Sequence, residues 1–215
     1  MSATPPVQPP RATRCRQTLV WAIAAATVLA GCITGERPVL EPDVAVNDPA
    51  IQSVLDRLEL ADSAAFSAQY DIIPTATGET TVATVRRLEN GRTRVTIGAV
   101  DYLIDGSVTR TCVRNECSDG LDDARVSDLN ITNRFWGQSF ASRLELDAAR
   151  NLDDGRGRSA TIAGRPATCV EIDVVGGAVT YCALDIGVLA RYFGADVSIE
   201  LTSYSISVEA NDLDL

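Results

Sequence analysis

The side chains available for chemistry are limited in kind. All 19 cationic residues are Arg, there is no His, and Asp and Glu together number 29. A Ser-His-Asp triad, a Cys-His pair, a Schiff-base or P-loop lysine and any His-ligated metal are therefore excluded. Carboxylates, hydroxyls, guanidinium groups and six cysteines remain. Asp119, Asp122 and Asp123 form an acidic loop whose oxygens suit a hard cation such as Ca²⁺. Their spacing is not that of an EF-hand, and the loop reads as a solvated one with no metal. Asp153-Asp154-Gly155 reads as the start of a Gly- and Arg-rich turn over 153–158. Glu145 and Asp147 resemble an acid/base pair only on paper, because helical positions two apart do not share a face. An Arg/carboxylate hydrolase such as a glycosidase has no motif here. The expectation is a protein without catalysis or cofactor.

The cysteines divide into two groups. Cys15 and Cys32 lie near the N-terminus; Cys112, Cys117, Cys169 and Cys182 lie in the body. Four cysteines allow three pairings. A tight turn at Arg114-Asn115 sets Cys112 opposite Cys117, and a Gly176-Gly177 turn sets Cys169 opposite Cys182. Cross-strand neighbours are close enough to bridge, so disulfides 112–117 and 169–182 are predicted. The alternative, four thiolates around a metal, lacks the two-residue spacers of zinc knuckles.

Residues 1–16 carry Arg11, Arg14 and Arg16 and no acid, and an apolar run follows over residues 19–30. A basic region, an apolar core and a small-residue exit read as a secretory signal, and the run is short for a transmembrane helix. Its end, Leu29-Ala30-Gly31-Cys32, resembles the bacterial lipobox. That resemblance implies cleavage before Cys32 and acyl chains on Cys32. The expected division is a lipoprotein signal peptide over 1–31, a flexible tether over 32–46 and one domain over 47–215. Two acyl chains hold a protein on a membrane where one is marginal. The chain from Cys32 onward has 16 Arg against 29 acids, a net charge of −13. Such a body is repelled by anionic lipid and does not suit nucleic acid. With a bacterial lipobox, the sequon-like Asn130-Ile131-Thr132 reads as a chance match.

Several elements follow from pattern. Asp48-Pro49 opens a helix whose Ile51, Val54, Leu55 and Leu58 share one face, and which ends near Ala64. Period-two strands begin at Phe66, where Phe66, Ala68 and Tyr70 alternate with polar residues. Strands over 80–88 and 92–104 are joined by Asn90-Gly91, a strong hairpin signal. A second helix is predicted over 133–150, with Trp136, Phe140 and Leu144 on one stripe, after which the chain reads as an antiparallel meander up to residue 209. Helix, strands, helix, strands imply an α+β fold with one large antiparallel sheet.

This order, together with the lipobox and tether, resembles the LolA-like superfamily, whose mycobacterial members are the LppX/LprG lipoproteins. Gly187-Val188-Leu189-Ala190-Arg191-Tyr192 is similar to that family's strand–Gly–apolar–Arg–strand ending. The resemblance implies a curved sheet, a half-barrel, wrapped around one or two helices and an apolar cavity for acyl chains. Phe66, Tyr70, Trp136, Phe140 and Leu144 are the candidates to line it, and the same residues serve equally as ordinary core. The expectation is a cell-envelope lipoprotein, held by Cys32 on the extracytoplasmic side of the membrane, that binds a lipid, glycolipid or other apolar ligand. The alternative is an interaction or sensor module with a filled core and a basic protein partner.

Overall fold

In the computed structural model, contacts divide the chain between Asp43 and Val44, and residues 47–114 and 116–213 are described. The stretches read as signal peptide and tether, Cys32 included, lie outside the described residues.

Helix α1 spans Pro49–Leu58. Asp48 caps it: Oδ1 accepts the N–H of Ala50 at 2.8 Å and of Ile51 at 3.1 Å. Pro49 occupies the first turn, where a missing N–H costs nothing. Ile51, Val54, Leu55 and Leu58 form the buried stripe, and a 3-10 helix, Glu59–Ser63, continues the run.

Eleven strands build one antiparallel sheet. The first six are β1 Phe66–Pro74, β2 Thr81–Arg87, β3 Thr93–Ile97, β4 Val100–Asp105, β5 Val108–Val113 and β6 Glu116–Asp119. Helix α2, Gln138–Ala148, intervenes before β7 Arg156–Ile162, β8 Arg165–Val174, β9 Gly177–Leu184, β10 Leu189–Phe193 and β11 Val197–Ser205. Each set is a meander of neighbours in sequence, and the two join where β1 pairs with β11, Ile72 opposite Ile199. The edges β6 and β7 leave the sheet open. Inward residues of both meanders, from Tyr102 on β4 to Ile162 on β7, belong to one core cluster with α1 and α2, so the sheet curves around its contents. The fold is α+β, a curved antiparallel sheet over helices. Among the described residues no helix is long and apolar enough to cross a membrane.

Three expectations change. The stretch 92–104 is a hairpin and not one strand, because Gly98, at φ +56, turns the chain between β3 and β4. The second helix starts at Gln138 and not at 133. At Gly137 the chain crosses the 3-10 helix so closely that a Cβ would stand 2.7 Å from that of Ala61. Residues 156–158, expected in a turn, begin the edge strand β7.

Candidate ligand-binding face

The helices and the inward side chains meet on the concave face, and its two halves are covered differently. Over β7–β9 lies α1. Over the first meander lies an irregular segment, residues 120–137, whose regular part is a 3-10 helix, Asp123–Leu129. The Tyr102 hydroxyl donates to the Asp122 carbonyl at 3.0 Å. Thr111 donates its hydroxyl to the Gly120 carbonyl at 2.8 Å and accepts the N–H of Asp122 at 2.9 Å. Burial, then the nearby Asp123 and Asp122 charges, push the Tyr102 hydroxyl up to about 12.

The five candidate residues all point inward, none more than 4% exposed. Phe66 meets Trp136 edge-on with centroids 5.4 Å apart. Tyr70 meets Phe135 at 5.0 Å. Phe140 meets Tyr192 at 4.8 Å and Tyr181 at 6.4 Å, and Leu144 is buried one helical turn further on. Such pairs add about 1 kcal/mol each beyond their buried area. The Tyr70 hydroxyl and the Trp136 Nε1 are buried without a hydrogen-bond partner, and burial raises the Tyr70 pKa well above its usual value. The sequence reading did not single out Phe135 and Tyr181, and it gave Tyr192 only as the end of the Gly187–Tyr192 stretch. Tyr181 and Tyr192 become neighbours only through the β9–β10 register, where they lie directly opposite.

An opening borders this face between the 3-10 helix and α2. It is an open depression of about 440 Å³, lined mainly by apolar surface from Ala124, Ile131 and Phe140, with Ser139 and Arg143 at its side. Arg143 stacks 4.5 Å over the Tyr192 ring and donates to Asp196 at 2.6 Å. Burial opposes its charge, yet the Asp196 hydrogen bond and the electrostatic pull of Tyr192, Asp196 and Tyr181 together outweigh it and raise its pKa. Behind it the Tyr181 hydroxyl donates to Asp147 at 2.5 Å. Burial, then that bond, hold the Tyr181 pKa far above its usual value, so Tyr181 stays a neutral donor. The cation and both carboxylates are thus paired within the cluster, which suits a rigid rim.

The acidic loop is divided among other duties. Asp122 accepts from the N–H of Ala124 and from Arg125, Asp123 accepts twice from Asn133, and Asp119 pairs with Arg110 at 3.8 Å. Among the described residues no group of three or more His, Cys, Asp or Glu is placed to hold a metal. Asn130 ends the 3-10 helix in the left-handed conformation. Asp147 faces Tyr181 while Glu145 is exposed.

Cys112 is bonded to Cys117, and Cys169 to Cys182. The first bridge joins β5 to the edge strand β6. The second joins β8 to β9 one residue from Tyr181, so it lies on the opposite face of the sheet. A second open depression, about 590 Å³, lies beside the first bridge and is lined by Arg114, Glu116 and Arg125.

No family model and no curated protein matches the sequence. Solved structures resemble the chain in fold. The Pseudomonas aeruginosa MucA/MucB complex matches at 17% identity and TM-score 0.46, covering 77% of this chain and 60% of that one. LprF from Mycobacterium bovis matches at 14% and 0.41, covering 75% and 95%. A LolA superfamily protein from Nitrosomonas europaea matches at 11% and 0.37, covering 75% and 96%. The chain spans about three-fifths of the MucB chains it matches.

Proposed function

We propose that the protein is an extracytoplasmic lipoprotein, anchored by acyl chains on Cys32, that binds the apolar part of a lipid or glycolipid without catalysing a reaction. The observation that carries this reading is the cover of the first meander. An irregular segment with one 3-10 helix, not an α-helix, closes that half of the concave face, and an apolar-lined opening of about 440 Å³ sits at its border beside Phe140. Displacing the segment would expose the inward residues of β1–β4 to an acyl chain, worth about 0.8 kcal/mol per CH₂ buried. The two disulfides support an oxidising compartment, and the Leu-Ala-Gly-Cys sequence supports the anchor.

The ring contacts among Phe66, Trp136, Tyr70 and Phe135 favour a second reading, an interaction module with a filled core whose acidic surface meets a basic protein. Native mass spectrometry separates the two. The exported chain with Cys32→Ser, which carries no covalent lipid, is purified gently and then extracted with organic solvent. Adducts of lipid mass that disappear on extraction establish the carrier. A clean mass in every preparation, with no uptake of added phospholipid, leaves the interaction module.

A further inference from the structure

One end of the sheet gathers exposed apolar side chains at two adjacent turns. The β8–β9 turn carries Val175, 86% exposed, followed by Gly176 and Gly177. The β10–β11 turn follows Phe193, 53% exposed, with Gly194 and Ala195. Both turns line the same small depression of about 140 Å³. Leu152, 62% exposed, is held beside them because its N–H donates to the Asp173 carbonyl at 2.9 Å. Two carboxylates near these turns are ion-paired, Asp173 with Arg156 at 2.7 Å and Asp196 with Arg143 at 2.6 Å.

The described residues of the domain begin at this same end. Asp48 Oδ2 accepts the Gly155 N–H at 2.6 Å, which fixes the start of α1 beside the start of β7. There Arg156 lies opposite Glu171, near the end of β8 that leads to Val175. Cys32 is 15 residues from Asn47, and a coil of that length spans on the order of 20 Å. We propose that this end docks on the bilayer, with Val175, Phe193 and Leu152 entering the headgroup–acyl boundary next to the anchor and fixing the orientation of the domain. The proposal rests on the reading of Cys32 as the anchor. A contact this small suffices because tethering gives an effective concentration in the millimolar range. Asp153 and Asp154 follow Leu152, so zwitterionic lipid is favoured over anionic lipid.

The test places tryptophan probes in the full acylated chain, reconstituted in phosphatidylcholine vesicles with brominated acyl chains. Val175→Trp and Phe193→Trp report on the docking end. Val108→Trp, at the β4–β5 turn, reports on the opposite end, as the antiparallel register requires. Quenching at 175 and 193 but not at 108 is the expected result. Equal quenching at all three sites, or none, overturns the proposal. Intact-mass analysis of the N-terminal peptide tests the anchor separately. In the acylated chain, docking predicts that Val175→Asp brings a loss of quenching at the Phe193→Trp probe. Unchanged quenching there, in a chain whose N-terminal peptide carries the acyl mass, overturns docking and leaves the anchor standing.

Discussion

The two meanders present similar alternations of inward apolar residues, yet they are closed by opposite means. Over the C-terminal meander, helix meets backbone. Cβ atoms placed at Gly155 and Gly157 would stand 2.9 Å from Ile51 and 3.0 Å from Ala50, and one at Gly187 would strike the backbone of Arg57 and Ala61. Over the N-terminal meander the cover is irregular, bonded to the sheet by the side chains of Tyr102 and Thr111. Contact through glycines leaves no slack, whereas an irregular segment is held by separate side chains, here the hydrogen bonds of Tyr102 and Thr111 and the buried Val126, Phe135 and Trp136. One half is thus a frame of backbone contact and the other a cover of side-chain contact.

Glycine substitutions give the largest expected contrast. Gly187 lies at φ +91 against helix backbone, so Gly187→Ala adds overpacking to backbone strain and costs about 4 kcal/mol. Gly106, in the N-terminal meander, has φ +58 with open space around it, and Gly106→Ala costs about 1 kcal/mol. Urea unfolding of both variants checks this; equal losses would erase the distinction between frame and cover. Next come the disulfides. Removing Cys169–Cys182 by paired alanines, a separation of 13 residues, costs about 3 kcal/mol, and removing Cys112–Cys117, a separation of 5, about 2 kcal/mol. The reverse ranking in thermal unfolding would make the edge hairpin the stiffer part.

Asp48 sharpens the picture of the frame through pH. Burial opposes its ionisation, but the N–H groups of Gly155, Ile51 and Ala50 outweigh burial and lower its pKa below 3.8. A carboxylate with a depressed folded pKa contributes stability above its unfolded value, and that stability is lost as pH falls through the folded one. Asp48→Asn cannot accept from both sides, so it is expected to cost about 1 kcal/mol at neutral pH. That cost should shrink as pH falls below 3.8 and vanish only below the depressed folded value, which unfolding at several pH values reads directly. The smallest global effect belongs to Tyr102→Phe, about 1 kcal/mol or less. Its signature is local: amide exchange over residues 120–137 should quicken while that of β8–β10 stays the same. Uniform quickening would show that cover and frame open together.

How much of this is legible in the sequence depends on the range of the interaction. Helix α1 follows from Asp48-Pro49 and a four-residue apolar stripe, and the β2–β3 hairpin from Asn90-Gly91, because cap and turn act over a few residues. The hairpins that bring Cys112 opposite Cys117 and Cys169 opposite Cys182 are legible for the same reason. Gly98 is not legible as a turn because Ala99 beside it carries no turn preference and both flanks, 93–97 and 100–104, carry β-branched and apolar residues typical of a strand. The late start of α2 is set by Ala61, some 75 residues away, which only Gly137 lets approach. The rim of Arg143, Tyr192 and Asp196 likewise needs α2 laid across two strands and a turn. Inward placement of Phe66, Tyr70, Trp136, Phe140 and Leu144 follows from period alone. Their mutual contact does not, because a core and a cavity wall draw on the same residues.

The seam between the meanders has a consequence for biogenesis. Ser67 pairs with Ser205 and Pro74 with Val197, partners more than 120 residues apart, so the centre of the sheet closes only when its last strand arrives. Contacts of such separation fold slowly. A chain threaded across a membrane from its N-terminus would hold β1 with an unpaired edge until residues 197–205 emerge. That interval is when the nascent protein is most exposed to aggregation, and when a holdase would protect it most.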